Sequence, residues 1–187
     1  KEDPATARFN QSLYSFWLTS TTRQYFSAWK VQMLLLKNNK HSFFSLYNDM
    51  LWFVIIQLTY LICILIAFGG LALAFAIGVG VVSFLFLETV NYIEHYGLLR
   101  LKTSSGRYER VQKIHSWNSN HVIGRIILYE LTRHSDHHYK SAKKYQVLES
   151  HEESPILPFG YPTSMLLAMM PPLWFRVMNK RVPANMI

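Results

Sequence analysis

The sequence has 187 residues, a formal net charge of +8, and half of its residues are apolar. That length suits one domain of ordinary size, and strong basicity beside high apolar content points to segregated blocks rather than an evenly mixed globule. The single cysteine, Cys63, excludes a disulfide framework and a thiolate metal site, and inside an apolar run it reads as a small apolar side chain.

The chain opens Lys1-Glu2-Asp3-Pro4 rather than on methionine and reads as a piece of a longer protein. No signal peptide is visible, because the first long apolar run starts near residue 50. Residues 21–37 are predicted to form an amphipathic helix. Thr21-Thr22-Arg23-Gln24 fits a capping box, in which the threonine and glutamine side chains bond free amides of the first turn. Tyr25, Trp29, Met33 and Leu36 recur at helical spacing, and Arg23, Lys30 and Lys37 lie away from them. Such a helix either lies along a membrane surface or packs on a cytoplasmic domain. Residues 38–49 read as a polar linker.

From Met50 to Phe68 there is no charge, Gly69-Gly70 follows, and Leu71 to Leu87 is again uncharged. A hydrocarbon core of ~30 Å needs about 20 helical residues, so the run is too long for one span and fits two with a break at Gly69-Gly70. In the second run Gly70, Ala74 and Gly78 form one row, and Ala72, Ala76 and Gly80 the next. These rows either let helix backbones approach closely or reflect the ordinary abundance of small residues in spans. The turn holds no Lys or Arg. Lys1, Arg8, Arg23, Lys30, Lys37 and Lys40 precede the hairpin and the remaining basic residues follow it. The positive-inside rule then puts both flanks in the cytoplasm and accounts for the charge without nucleic acid.

If the second span continues as helix beyond Leu87, Glu88, Asn91 and His95 share one face, with a carboxylate and an amide beside an imidazole at the cytoplasmic mouth. Local evidence alone leaves His95 as a satisfied interfacial histidine. His115 and His121 flank a polar stretch in which Asn118 or Asn120 is a candidate cap for the next helix. Val122 to Leu131 reads as helix. Continued through Arg133-His134-Ser135-Asp136-His137-His138, it puts His134, His137 and His138 within an arc of about 100°, with Glu130, Ile127 and Ile123. Asp136 and His121 point elsewhere. Three imidazoles on one face can converge on a metal. The alternative is a solvated helix end, where histidine suits the dipole. His41, His115, His121 and His151 read as structural or solvated. Beyond them, six prolines from Pro155 to Pro183 make long regular elements unfavourable, and Met165 to Met170 suits only a short interfacial or capping helix.

Two motifs carry a family resemblance. Asn91-Tyr92-Ile93-Glu94-His95-Tyr96-Gly97 resembles the N-Y-x-E-H-Y-G signature of integral-membrane alkane hydroxylases. Leu131-Thr132-Arg133-His134-Ser135-Asp136-His137-His138 resembles their third histidine box, L-Q-R-H-S-D-H-H, with Thr132 in place of glutamine. His115-Ser116-Trp117-Asn118-Ser119, Leu157-Pro158-Phe159-Gly160-Tyr161-Pro162 and Pro171-Pro172-Leu173-Trp174 are also similar to that family, so the resemblance covers essentially the whole chain.

The resemblance implies an all-α integral-membrane fold: a helical hairpin and cytoplasmic histidine-bearing helices, part of a six-span bundle in a bacterial inner membrane. The segments would be a cytoplasmic 1–49, a two-span hairpin at 50–92, and a diiron-site region with a Pro-rich tail at 93–187. Carried over by motif, His95, His134, His137 and His138 are ligands to two non-haem iron ions. Glu88, Asn91 and Glu130 are candidates to orient their imidazoles. The implied reaction uses O2 to hydroxylate the terminal carbon of a medium-chain n-alkane, with electrons from rubredoxin drawn to a basic face. The family's first two boxes, H-E-x-x-H and E-H-x-x-G-H-H, are absent from this sequence, and Glu2 to Arg8 resembles the stretch that follows the second. The chain alone is therefore expected to be inactive. Related diiron oxygenases or desaturases acting on alkyl-aromatics or fatty acyl chains share these boxes. From another class, a non-catalytic membrane protein would hold zinc or nothing there.

Overall fold

A computed structural model describes residues 5–187, so Glu2 to Pro4 of the segment resembling the family lie outside the described residues. The helices are α1 (Leu13–Asn38), α2 (Asp49–His95), α3 (Val122–Ile127), α4 (His134–Tyr139), α5 (Tyr161–Ala168) and α6 (Pro171–Met178). Single 3-10 turns lie at Lys113–His115, Tyr145–Val147 and Ala184–Met186. Extended pairing among the described residues is confined to two isolated bridges, Lys102 with Tyr108 and Asn118 with Ile156. The helical class expected from the sequence holds. The chain divides into two compact units, Thr21–Leu87 and Lys1–Ser20 with Glu88–Ile187.

In the first of these units lies the apolar run of α2. Asn48 is buried and accepts the Leu51 amide on Oδ1 at 3.2 Å, which ends the preceding loop and starts the helix. At 1.5 Å per residue, the 47 residues of α2 would extend about 70 Å, more than twice a hydrocarbon core. The helix is interrupted at Gly69, with φ 83° and ψ −179°, conformations that only glycine adopts cheaply. The break falls in the dipeptide where the sequence puts it. Large apolar side chains on both sides of it stay exposed, Ile66 at 80% and Leu71 at 88%. By length and composition α2 is apolar enough to cross a membrane, its run from Met50 to Leu87 carrying no charge. Nothing among the described residues packs against Gly70, Gly78 or Gly80, whose added Cβ atoms would meet open space.

The expected start of α1 is corrected. The helix begins at Leu13, and Thr21 lies inside it rather than at its cap. Ser12 does the capping, its Oγ accepting the Ser15 amide at 3.3 Å. The capping-box pattern at Thr21 was overridden because Leu13 and Phe16 are buried in the other unit's core and hold the earlier turns helical. The segment after α1 is also more than a linker. Gln32 donates to the Tyr47 carbonyl at 2.8 Å, the His41 ring stacks on Tyr47, and Trp29 stacks on Phe43.

The unit carrying the histidines is built on aromatic side chains. Phe16, Tyr92, Tyr96, Trp117, Tyr161 and Trp174 are almost fully buried. Tyr92 Oη donates to the Gln11 carbonyl at 2.6 Å, Tyr96 Oη to Asn179 Oδ1 at 2.7 Å, and Trp117 Nε1 to the Tyr96 carbonyl at 2.8 Å, whereas the buried Trp174 Nε1 has no hydrogen-bond partner among the described residues. The proline-rich tail still forms two short helices, because Pro162 and Pro171 sit in first turns where a missing amide costs nothing.

The single helix expected through 122–138 is also corrected. It is two six-residue helices separated by a turn in which Tyr129 and Glu130 take left-handed φ of 51° and 64°. Arg125 compensates for that strain. Its Nε and Nη2 each bond a Glu130 oxygen at 2.8 Å, and the Glu130 amide returns to the Arg125 carbonyl at 2.8 Å.

Candidate metal centre

α4 is only six residues long and presents three imidazoles. His95 is the last residue of α2 and meets them. His134 Nε2 lies 3.2 Å from His95 Nε2 and 2.8 Å from His138 Nε2. One ring nitrogen of each of the three lies within 4.8 Å of the others. The His134 side chain is 12% exposed, whereas His138 is exposed, so the cluster is open on one side. His137 stands at the edge, its ring centroid 6.0 Å from that of His134 and 5.6 Å from that of His138.

The arrangement fits a cation. His134 Nε2 also lies 3.2 Å from Glu94 Oε2, so one nitrogen faces two imidazole nitrogens and a carboxylate oxygen. A ring nitrogen makes one hydrogen bond, as N–H donor or as lone-pair acceptor, so these close contacts cannot all be satisfied by protons. A shared ion resolves the conflict, and imidazole–metal bonds of about 2.1 Å would separate neighbouring ligand nitrogens by about 3 Å. Burial first, then the adjacent His95, His138 and His137, hold His134 well below the usual histidine range. This favours the neutral ring, the form that binds a metal.

Glu94, off the His95 face of a regular helix, is from the sequence a weaker candidate to orient an imidazole. It is buried, and Tyr161 Oη donates to its Oε1 at 2.7 Å while Oε2 faces His134. Burial pushes its carboxyl up to about 8, with the Tyr161 bond opposing. The signal for both residues lay only in the family-like segments that contain them. The other side of the His95 ring is held from the 115–116 segment. His95 Nδ1 lies 3.4 Å from the His115 carbonyl and 3.5 Å from Ser116 Oγ. His115 turns away, accepting the Gln112 amide on Nδ1 at 2.9 Å and pointing Nε2 at Glu109 3.2 Å off.

The three residues expected to orient imidazoles have these contacts. Asn91 Nδ2 bonds Glu88 Oε1 at 3.4 Å, so these two meet each other. Glu130 is paired with Arg125 and, at 3.4 Å, with Arg133. The left-handed turn at Tyr129 and Glu130 breaks the helical phase on which its placement rested. Asn118 does not cap α3, and its Oδ1 instead accepts the Ser135 amide in the first turn of α4. Asn118 is buried, while His121 precedes α3 without a side-chain cap. His151, read as structural or solvated, takes a structural place with its Nε2 3.0 Å from Asp136 Oδ1.

A family model described as fatty acid desaturase matches residues 1–176. Alkane 1-monooxygenase 2 of Alcanivorax borkumensis is 40% identical over 183 residues, covering 98% of this chain and 48% of that protein. Alkane 1-monooxygenase of Ectopseudomonas oleovorans is 40% identical over 181 residues, 96% of this chain and 45% of that protein. The xylene/toluene monooxygenase hydroxylase component of Pseudomonas putida is 28% identical over 179 residues, 95% of this chain and 47% of its own length. The chain spans about half the length of the curated relatives it matches.

Proposed function

Since the chain belongs to the fatty acid desaturase family, we propose that it supplies part of a non-haem diiron centre in a membrane-bound alkane 1-monooxygenase. The whole enzyme would hydroxylate the terminal carbon of medium-chain n-alkanes with O2. The observation that carries this reading is the convergence of His95, His134 and His138 nitrogens within 4.8 Å. His137, on the same helix, is proposed as the fourth histidine ligand. Nitrogen donors without thiolate suit iron, and the two named alkane 1-monooxygenases match at 40% identity over nearly all of this chain.

Bound iron would supply the activation of O2 and the oxidising power to attack an unactivated C–H bond, which no side chain has. The chain's residues do the positioning. The His115 carbonyl and Ser116 hydroxyl beside Nδ1 turn the His95 ring so that Nε2 faces the cluster. Tyr161 fixes one oxygen of Glu94 and leaves the other facing His134. His95 follows the apolar run on the same helix, so a substrate dissolved in lipid would approach along apolar surface. We assign the hairpin to a bacterial inner membrane as two of six spans, with both flanks cytoplasmic.

Rubredoxin is the proposed electron donor, drawn to Arg107, Arg110, Lys113, Lys140 and Lys144. Lys113 is paired with Glu153 at 3.6 Å, and Lys143, the neighbour of Lys144, with Asp136 at 2.7 Å and Glu149 at 3.3 Å. Electron transfer in a protein holding the full ligand set should slow as ionic strength rises. A rate indifferent to salt would remove the electrostatic docking.

The central test is made in such a full-length protein. His95→Ala, His134→Ala and His138→Ala should each lower iron content and abolish 1-octanol formation from octane. Zinc alone in an active preparation, or full activity in any of the three variants, would overturn the assignment. The 28% identity to the xylene/toluene component supports a second reading, oxidation of alkyl-aromatics, which product analysis with xylene beside octane separates.

A further inference from the structure

In α4 the residues facing the cluster alternate with residues that bind the rest of the unit. Between His134 and His137 lie Ser135 and Asp136, 0% and 2% exposed. Ser135 is gripped by Asn118: its amide donates to Asn118 Oδ1 at 2.8 Å, and Asn118 Nδ2 donates to its Oγ at 2.8 Å. Ser154 Oγ lies 2.7 Å from the same hydroxyl. Asn118 is itself fixed by its backbone, donating to the Pro155 carbonyl and accepting from the Leu157 amide, both at 2.8 Å.

Asp136 is held from a different direction. Its Oδ2 accepts Lys143 Nζ at 2.7 Å and the Glu149 amide at 2.9 Å, and its Oδ1 faces His151 Nε2 at 3.0 Å. Asp136, Glu149 and His151 have the composition of a cation site, but Lys143 already places its ammonium there, 2.7 Å from Asp136 and 3.3 Å from Glu149.

A six-residue helix has almost no stability of its own, because nucleation is unfavourable and few backbone bonds follow. Here it must also hold imidazole nitrogens about 3 Å apart. We propose that Ser135 and Asp136 are positioning residues for the histidine cluster, with Asn118, Lys143 and His151 as the groups that fix them. The proposal rests on reading the cluster as a metal site. In the H-S-D-H-H run the histidines then serve the ion, and the two residues between them anchor the helix on its other sides.

The test uses a full-length protein loaded with Co(II), whose absorption spectrum reports ligand geometry, with metal affinity from chelator competition. Asp136→Asn keeps the shape but removes the charge and one acceptor. It should weaken affinity about 10–100-fold and alter the Co(II) spectrum, as loss of groups supporting metal ligands does. Lys143→Arg should stay near wild type and Lys143→Met should resemble Asp136→Asn. Ser135→Ala should shift the spectrum by a smaller amount. The metal-free melting temperature of each variant separates positioning from simple unfolding. Unchanged affinity and spectrum in Asp136→Asn would overturn the proposal. So would an affinity loss that only tracks metal-free melting while the residual spectrum stays wild type. A wild-type protein that binds no Co(II) at this cluster would instead sink the metal-site reading itself.

Discussion

Gly97 follows the residue after His95 and has φ of +72°, the left-handed region. Its amide donates to the Ala7 carbonyl at 2.9 Å, turning the chain sharply at the end of α2. An added Cβ would stand 2.8 Å from Val182 Cγ2. Gly97→Ala should therefore cost about 1–2 kcal/mol in backbone conformation, with about 1–3 kcal/mol more from overpacking. A lowered melting temperature would report it. Val182→Ala added to Gly97→Ala should recover the clash but not the conformational part. A Gly97→Ala protein as stable as wild type would show that the turn is not held as described. The glycine of the H-Y-G motif thus has a physical reason that the sequence alone did not supply. The α4 histidines were legible as a cluster because their spacing is local, whereas His95, 39 positions before His134, was singled out by its motif alone. Glu94, Tyr161 and the Asp136 partners were not legible. Tyr161 reaches Glu94 from 67 positions away, and His151 reaches Asp136 from 15, separations on which helical periodicity is silent.

At the scale of elements, the Gly69 break was readable because it rests on two local facts, an uncharged run too long for one span and a glycine pair at its middle. The division of residues 122–138 was not, since Tyr129 and Glu130 take a conformation disfavoured for both and hold it through Arg125. The start of α1 was misplaced for a related reason: burial of Leu13 and Phe16 decides it, and a capping pattern cannot report burial. A two-span reading of α2 makes a specific prediction in a full-length protein with Cys63 replaced by alanine. Single cysteines introduced at Gly70 or Leu71 should react with a membrane-impermeant maleimide added to intact cells. Cysteines at Lys40 or Ser105 should react only after lysis. Labelling of all four from one side would exclude a hairpin that crosses and returns.

Taken as a whole, the molecule leaves much apolar surface uncovered outside the α2 run. In α3, Val122, Ile123, Ile126 and Ile127 are 63–71% exposed, and in α1 Leu18 and Phe26 are 73% and 69% exposed. Apolar surface on this scale calls for a covering of lipid or further protein. The chain's coverage of about half of each relative points the same way as its donor set. One group of three imidazole nitrogens suits one ion, whereas the proposed chemistry needs two, and H-E-x-x-H and E-H-x-x-G-H-H do not occur in these 187 residues. A protein made from this sequence alone, reconstituted in lipid with Fe(II), rubredoxin and a reductase, should therefore bind about one iron per chain and form no 1-octanol. His134→Ala should abolish that binding, because its nitrogen is the one closest to both neighbours. Chelator treatment should remove the ion readily, since His138 leaves the cluster exposed and, among the described residues, three imidazole nitrogens converge on it. Iron analysis and gas chromatography of the same preparation decide the matter. Two tightly held irons with alcohol formation would show that these residues complete the centre unaided. One iron without alcohol is the result that ligands supplied from outside this sequence require.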